Sequence, residues 1–248
     1  MNILALIPAR MGSSRFPGKP MAEILGKPMI GHVYDRVAGC DLLTKTVVAT
    51  CDKEIEDYIK SIGGDVIMTG NHHKRASDRC AEALILLEEQ DGIKYDIIAM
   101  VQGDEPMTRP DMIADAVRPM LEDPDILVVN LFGDIESVKE FEDRNCIKVV
   151  CDQNSNAIYF SREAIPTRSN TKDIQMKKQI CIIPFTRNFL IEYTNLEPTP
   201  LEIVESVDMM RALEYGYKVK MVPTIHQTHA VDTTEDLHYV ESLMRVKN

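Results

Sequence analysis

The sequence predicts an α/β fold built on a parallel sheet. The order of its apolar segments indicates the fold class, and its length and composition indicate a globular core. Short apolar segments of strand length alternate with segments of helical spacing through the first half of the chain. Such alternation is typical of a parallel sheet with helices on both faces. The chain has 248 residues, of which 44% are hydrophobic and 27% charged, so it is long enough to build a sizeable globular core.

The alternation begins with a short apolar strand over residues 3–7, which Pro8 ends. Six further elements are predicted in order: a helix over 29–37, a strand over 46–49, a helix over 53–62, a strand over 66–68, a helix over 77–89 that Ser77 caps, and a strand over 97–101. Ligands bind at the carboxyl ends of strands in such sheets. We therefore expect the loops after Ile7, Met68 and Val101 to meet.

The pattern changes near residue 126, where strand candidates become closely spaced. The predicted elements are strands over 126–131, 147–150, 157–160 and 180–183, a hairpin turn over 152–156, a loop over 166–178, a helix over 201–213, a strand over 218–222 and a helix over 233–244. Thr233 and Asp236 form a candidate N-terminal box for the last helix. We expect one domain over 1–248, with 126–185 as a β-rich insertion.

Composition and charge exclude several classes of partner. The net charge is −11, and nucleic-acid binding needs a basic face, so we expect no nucleic-acid partner. No apolar segment approaches the ~20 residues of a membrane helix, and the first apolar run is too short for a signal peptide. The six cysteines form no Cys-x-x-Cys pair, which favours reduced core cysteines. These observations predict a cytoplasmic protein without a membrane partner.

A loop with glycines and three cations follows the first strand. It contains Gly12, Gly18, Arg10, Arg15 and Lys19. Glycines let a backbone approach a ligand closely, and free N–H groups with fixed cations suit a polyphosphate. The alternative is a solvated basic loop after an edge strand. The loop matches neither the Walker motif nor Gly-x-Gly-x-x-Gly.

Two acidic positions complete the candidate chemistry. Asp104 follows the strand over 97–101, where a carboxylate could hold a hard cation against phosphates. The alternative for Asp104 is an ordinary acidic turn. Asp232 lies just before the last predicted helix, and its alternative is a helix cap.

These segments resemble the sugar-acid cytidylyltransferases, and among them the 3-deoxy-manno-octulosonate (KDO) branch. The matching motifs are Ile7-Pro8-Ala9-Arg10, Ser14-Arg15-Phe16-Pro17-Gly18-Lys19-Pro20, Gly26-Lys27-Pro28-Met29-Ile30, Val101-Gln102-Gly103-Asp104-Glu105-Pro106 and Val231-Asp232-Thr233-Thr234-Glu235-Asp236-Leu237. The resemblance covers nearly the whole chain. It implies a three-layer αβα nucleotidyltransferase fold, Rossmann-like and of the nucleotide-diphospho-sugar transferase type. It also implies that the β-rich insertion serves a homodimer.

The resemblance implies a magnesium-dependent enzyme that moves CMP from CTP to a sugar acid of the KDO type, or to modified KDO, and releases pyrophosphate. Such a reaction belongs to lipopolysaccharide or capsule biosynthesis. By resemblance Lys19, Arg10 and Asp104 are catalytic, and Asp104 and Asp232 bind Mg²⁺. The implied nucleotide-binding residues are Pro8, Ala9, Arg10, Ser14, Arg15, Lys19, Ala76, Ser77, Asp78 and Arg79.

The acceptor, a small acid, is implied to contact Gln102, Tyr159, Arg162, Gln179, Glu202 and Glu205. An arginine fork matches two carboxylate oxygens, so Arg162 is the candidate for the acceptor carboxylate. A solvated charged face is the alternative for the two glutamates.

This chain departs from the family pattern at both substrates. Arg75 and Ala76 replace a serine and a glycine in the segment that reads the nucleoside. Gln179 stands for a histidine, and Ile183 and Phe185 stand for tyrosines, on the acceptor side. Loss of such hydroxyl contacts would favour a modified relative of KDO over KDO itself. Two further alternatives are a different acidic or phosphorylated acceptor and a nucleotide-binding regulatory protein without turnover.

Overall fold

The computed structural model describes residues 1–12, 15–168 and 175–246, and the chain forms two compact units. The first unit comprises Met1–Ala114 with Gln227–Asn248, and the second comprises Asp115–His226. Within the described residues, no helix combines the length and the apolar character needed to cross a membrane. That residues 126–185 form a β-rich insertion stays a prediction.

The described part of the first unit begins with these helices and strands in chain order: β1 Ile3–Ala9, β2 Glu23–Ile24, β3 Lys27–Pro28, α1 Met29–Ala38, β4 Lys45–Thr50, α2 Lys53–Ser61, β5 Asp65–Met68, α3 Ala76–Asp91 and β6 Ile97–Val101. A short 3₁₀ helix, Lys19–Met21, lies between β1 and β2. Helix α4, Pro110–Glu122, crosses the boundary between the units and was not predicted.

The first unit contains a parallel sheet in which the strands follow the order β6-β1-β4-β5. Leu6 pairs with Val47 of β4 and with Met100 of β6, and Val48 pairs with Val66 of β5. Strand β1 is an apolar run buried along nearly its whole length, as expected for a central parallel strand. The predicted parallel sheet is confirmed.

After α4, the described residues of the second unit form these elements: β7 Val129–Asp134, α5 Val138–Glu142, β8 Lys148–Cys151, β9 Ala157–Ser161, β10 Lys177–Ile180, β11 Ile182–Thr186, α6 Arg187–Thr194, α7 Pro200–Glu205, α8 Met209–Glu214 and β12 Lys220–Pro223. Its sheet has the order β12-β7-β10-β8-β9. Strand β12 runs parallel to β7, and the other pairs are antiparallel. The last helix, α9 Thr234–Val246, returns to the first unit.

The structure confirms the predicted hairpin and corrects two other elements. Strands β8 and β9 pair antiparallel, and Ser155 in their turn has φ 59°. The single helix predicted over 201–213 is wrong, because Ser206 ends α7 in the left-handed region with φ 52°. The strand predicted over 180–183 is also wrong, because β10 ends at Ile180 and β11 begins at Ile182.

The loop predicted over 166–178 falls partly on residues 169–174, which lie outside the described residues. Lys177 and Lys178 belong to β10, so the last part of that prediction is wrong. Their side chains contact different partners. Lys178 pairs with Glu140, whereas Lys177 Nζ lies 4.3 Å from the centroid of the Phe132 ring. This alternation is the period of two that a strand imposes on neighbouring side chains.

Candidate active site

The first unit contains a charged cluster in which one lysine bridges two carboxylates. Lys19 Nζ donates to Asp104 Oδ2 at 2.7 Å and to Asp232 Oδ1 at 3.3 Å. Burial alone would lower the pKa of Lys19, but the contacts with Asp104 and Asp232 outweigh burial and hold that pKa above its ordinary value. Lys19 is therefore charged at neutral pH and balances two acids that are distant in sequence.

Backbone contacts bring the two acids together. The carbonyl of Asp104, in the loop after β6, accepts a hydrogen bond of 2.9 Å from the amide of Val231. Val231 is buried in an apolar cluster that includes Met29 of α1 and Val240 of α9. The next residue is Asp232, so packing of α9 fixes this acid beside the Asp104 loop.

The backbone of Asp232 is held by Asp236 in the first turn of α9. Asp236 Oδ2 accepts hydrogen bonds from the amides of Asp232 at 3.0 Å and Thr233 at 2.9 Å. The amide of Asp236 donates in return to Thr233 Oγ1 at 3.2 Å, so the predicted N-terminal box is confirmed. Burial alone would raise the pKa of Asp236, but hydrogen bonds from His229 and Thr233 outweigh burial and hold that pKa below its ordinary value.

The loops after β1, β5 and β6 meet, as predicted. A Cβ on Gly103 would lie 3.1 Å from the carbonyl oxygen of Pro8, so glycine permits the loop after β6 to approach the carboxyl end of β1 closely. Arg10 NH1 donates at 3.3 Å to the carbonyl of His73, in the loop after β5. The Lys19–Asp104 contact joins the loops after β1 and β6.

The basic loop after β1 contains a left-handed turn that precedes its lysine. Gly18 has φ 74°, and its amide donates to the carbonyl of Met11 at 3.0 Å. Lys19 follows as the first residue of the 3₁₀ helix. Arg15 NH2 lies 3.1 Å from Asp232 Oδ1 and is about half exposed. Ser14, which is expected to contact the nucleotide, lies outside the described residues.

Asp52 is a residue of this region that sequence reasoning missed. Its Oδ2 accepts a hydrogen bond of 2.8 Å from the amide of Met11, at the start of the basic loop. Strand β4 runs parallel to β1, so Asp52 follows a strand whose carboxyl end lies beside that of β1. The rule that ligand sites form at carboxyl ends would have identified Asp52 had it been applied to β4 as well.

Helix α3 begins one residue earlier than predicted. Its N-cap is Arg75, and Ser77 lies in the first turn with a fully buried side chain. The prediction that Ser77 caps this helix is therefore wrong. The implied nucleotide-binding roles of Ala76, Ser77 and Asp78 stay predictions.

Arg79, on the next position of α3, holds the loop after β5. Its side chain is 3% exposed, and NH1 donates to Thr69 Oγ1 and, at 3.3 Å, to the carbonyl of Gly70. NH2 lies 3.5 Å from Cys51 Sγ. These partners give Arg79 a structural role in shaping the loop, and its direct contact with a nucleotide stays a prediction.

The donor set of the charged cluster fits magnesium. Asp104 and Asp232 offer carboxylate oxygens, the hard donors that Mg²⁺ prefers. Their side chains are 21% and 19% exposed, so neither carboxylate is fully enclosed. Both carboxylates contact the single ammonium of Lys19, so they are close enough to contact one cation.

In the second unit, three of the residues expected to bind the acceptor lie together. Glu205 Oε1 accepts hydrogen bonds from Tyr159 Oη at 3.1 Å and Ser161 Oγ at 3.0 Å. Glu205 Oε2 accepts one of 2.8 Å from the amide of Arg162. Burial and the bond to Glu205 both raise the pKa of Tyr159. The end of α7 is thereby joined to β9.

The guanidinium of Arg162 is bound to backbone. Nε donates to the carbonyl of Glu205 at 2.7 Å, NH1 to that of Arg144 at 2.9 Å and NH2 to that of Ser206 at 3.1 Å. A guanidinium that donates hydrogen bonds to three carbonyls has few N–H groups left for a carboxylate. The structure thus gives Arg162 a structural role, and the acceptor clamp expected from the sequence gains no support.

Glu202 forms a buried ion pair with Arg211. Arg211 Nε and NH2 each donate to one carboxylate oxygen at 2.8 Å, and the two side chains are 0% and 3% exposed. The alternative of a solvated charged face over Glu202 and Glu205 is wrong at Glu202, because its carboxylate is fully enclosed. Both carboxylate oxygens of Glu202 accept from the Arg211 guanidinium in the interior, so the contact of Glu202 with the acceptor stays a prediction.

The three residues that depart from the family pattern on the acceptor side have different surroundings. Gln179 Nε2 donates to Asn130 Oδ1 at 2.5 Å, and Gln179 is half-buried. Ile183 and Phe185 are buried, and the Phe185 ring lies 5.7 Å from that of Tyr193. Two of the three departures therefore lie in the core of the second unit. Gln102 belongs to the first unit and is half-buried.

Residues 4–221 match the model of a family described as cytidylyltransferase. A 3-deoxy-manno-octulosonate cytidylyltransferase of Syntrophus aciditrophicus is 42% identical over 244 residues, which cover 98% of this chain and 97% of the relative. A mitochondrial enzyme of the same name from Arabidopsis thaliana is 39% identical, covering 100% of this chain and 84% of the relative.

Comparison with solved structures leads to the same family as comparison with these relatives. A CMP:2-keto-3-deoxy-manno-octonic acid synthetase complexed with CTP has a TM-score of 0.89 and 34% identity, with 100% of each chain covered. A 4-diphosphocytidyl-2C-methyl-D-erythritol synthase from Anaerococcus prevotii, at 15% identity, has a TM-score of 0.65 and shares the fold, with 98% of this chain and 96% of that chain covered. The fold is thus α/β and of the nucleotidyltransferase type, as predicted. The chain belongs to the cytidylyltransferase family and, within it, to the 3-deoxy-manno-octulosonate cytidylyltransferases.

Proposed function

We propose that this protein transfers CMP from CTP to KDO and releases pyrophosphate. The observation that carries the proposal is the Lys19 ammonium bridging Asp104 and Asp232 beside a basic loop, at the motifs that resemble the family. Relatives that carry the name of this activity are 42% and 39% identical over nearly the whole chain.

The cations of the basic loop would serve the phosphates. A hydroxyl of the acceptor attacks the α-phosphorus of CTP, the bond from that phosphorus to the bridging oxygen breaks, and pyrophosphate leaves with the bridging oxygen. Arg10, Arg15 and Lys19 would balance the charge on the leaving group, so catalysis rests on positioning and electrostatics. Asp52 would support this step by fixing the start of the loop through Met11.

Asp104 and Asp232 would hold Mg²⁺. When bound, magnesium supplies positive charge to the phosphate oxygens. Lys19 neutralises both carboxylates in this structure. Its ammonium would become available to a phosphate when another cation binds to those two carboxylates. Asp236 would keep the backbone of Asp232 in place during this exchange.

We propose KDO itself as the acceptor, because the argument for a modified relative loses part of its support. The sequence argument for a modified acceptor used Gln179, Ile183 and Phe185, but the last two are core positions. Tyr159, Glu205 and Gln102 stay candidate acceptor contacts, and Gln179 is the departure that could still alter acceptor choice. The homodimer, the cytoplasmic location and the role in lipopolysaccharide or capsule biosynthesis stay predictions.

A pyrophosphate-release assay tests the proposal. The purified chain is given CTP and Mg²⁺ with KDO, with amino-modified KDO, with another acidic sugar, or with no acceptor. We expect release that requires an acceptor and is fastest with KDO. Faster release with another acceptor would support the alternative acceptor, and CTP binding without release under every condition would indicate a regulatory protein.

A further inference from the structure

A second group of potential metal ligands lies in the first unit and shares no residue with the Lys19 cluster. His72 and His73 follow β5, and Glu82 lies on α3. Each offers one ligand atom, and these atoms all lie within 4.8 Å of one another. Two imidazoles with one carboxylate form a donor set that suits zinc and similar divalent ions rather than magnesium.

The carboxylate of this group is already oriented by the backbone. The amide of Gly70 donates to both oxygens of Glu82, at 3.2 Å and 2.9 Å. His73 Nε2 contacts the same carboxylate oxygen, Oε2. Metal-binding carboxylates in proteins are commonly held by such additional hydrogen bonds. An ion would replace the direct contact between His73 Nε2 and Glu82 Oε2.

Gly70 also makes room for the second histidine. A Cβ at this position would lie 2.4 Å from His72 Cε1 and 2.5 Å from His72 Nδ1. Only glycine therefore lets the His72 ring lie over the loop and beside Glu82. The rings of His72 and His73 have their centroids 4.2 Å apart. His72 is exposed, so its ring can make the small adjustment to the ~3.4 Å ligand separation of a tetrahedral zinc site.

We propose that His72, His73 and Glu82 form a binding site for a divalent transition-metal ion of the zinc class, with a fourth position open to solvent. The site is distinct in residues and in donor chemistry from the carboxylate pair Asp104 and Asp232. The carbonyl of His73 holds Arg10 at 3.3 Å, so an ion bound here would stiffen the loop that contacts a phosphate-binding candidate.

Cobalt and zinc titrations of the full, untagged chain test this site. Co²⁺ gives visible absorption bands that report its coordination, and a thiolate ligand would add a near-ultraviolet band. We expect one Co²⁺ per chain with nitrogen and oxygen ligands only, displaced by Zn²⁺ but not by excess Mg²⁺. Failure to bind, a thiolate band or displacement by Mg²⁺ would overturn the proposal.

Three variants assign the binding to these residues. His72→Ala and Gly70→Ala should each weaken Zn²⁺ binding by about tenfold or more in calorimetry, the first by removing a ligand and the second by displacing its ring. His238→Ala removes an exposed histidine elsewhere in the unit and should change nothing. Gly70→Ala keeps all three ligands, so it remains informative if His72→Ala fails to fold by circular dichroism. Unchanged Zn²⁺ affinity in folded Gly70→Ala or His72→Ala would contradict the site.

Discussion

The Lys19 ammonium lies 2.7 Å from Asp104 Oδ2 and joins the loop after the first strand to the loop after the sixth. The two side chains are 12% and 21% exposed, so solvent screens this pair only partly. Asp232 shares the same ammonium at 3.3 Å. A change at any of the three residues should therefore alter the charge that the other two present to a nucleotide.

Asp104→Asn and Asp232→Asn should each lower turnover by about 100-fold or more, because each would remove a carboxylate that is proposed to hold Mg²⁺ for the phosphates. The amide is isosteric with the carboxylate, so the fold should persist. Pyrophosphate release at saturating Mg²⁺ measures the loss, and the melting temperature checks the fold.

The matched control for these two variants is Glu54→Gln, an exposed acid on α2. It makes the same chemical change outside the cluster and should leave turnover within about twofold of the parent. Full turnover by either aspartate variant would remove that residue from the proposed mechanism.

Glu202→Gln should destabilise the protein by about 3–5 kcal/mol, because it leaves the buried Arg211 guanidinium without its counter-charge. Urea unfolding measures this loss. The double variant Glu202→Leu with Arg211→Met removes both charges and should recover most of it. If Glu202→Gln instead kept its stability and raised the KM for the acceptor, Glu202 would be an acceptor ligand after all.

Phe185→Tyr and Gln179→His restore the residue types of the family pattern and should behave differently. Phe185 is fully buried among aromatic rings, so a hydroxyl there should cost about 1–3 kcal/mol of stability without changing the KM for the acceptor. Gln179→His should change that KM while leaving the KM for CTP unchanged. Acceptor titrations at fixed CTP, beside urea unfolding, separate the two effects. An altered acceptor KM in Phe185→Tyr would restore the sequence argument for a modified acceptor.

Asp236→Asn should lower the melting temperature at neutral pH, with a difference that fades in acid. The pKa of Asp236 is held below its ordinary value of 3.8, so its contribution to stability is present above that value and is lost as pH falls through the lower folded pKa. Thermal unfolding between pH 7 and about pH 3 checks this sign. Glu235→Gln, at the exposed neighbouring acid, should show a smaller effect. A difference for Asp236→Asn that grows in acid would contradict the assignment.

Local pattern predicted the elements that position the candidate site. The apolar run of β1, the β-branched run of β4 and the box at Thr233 and Asp236 each encode their own structure, and the structure confirms these three elements. The prediction that Pro8 ends the first strand is wrong, because β1 continues through Pro8 to Ala9. The meeting of the loops after β1, β5 and β6 followed from the rule for parallel sheets.

The failures arose where tertiary contacts decide. Nothing local in 201–213 shows that Ser206 adopts the left-handed region, because serine disfavours that region. The acceptor roles expected of Arg162 and Glu202 stay predictions that the structure does not support, for a related reason. Residue type shows that a side chain can bind a charged ligand. Only the fold shows that the Arg162 guanidinium already donates to backbone carbonyls and that the Glu202 carboxylate already pairs with Arg211.

Product formation by the parent chain and by Lys19→Ala tests the central claim most directly. Mass spectrometry of a reaction with CTP, KDO and Mg²⁺ should show CMP-KDO and pyrophosphate in equal amounts from the parent. Lys19→Ala should reduce both by about 100-fold, because the cation that serves both carboxylates and the phosphates is lost. No CMP-KDO from the parent, or an undiminished amount from Lys19→Ala, would contradict the account.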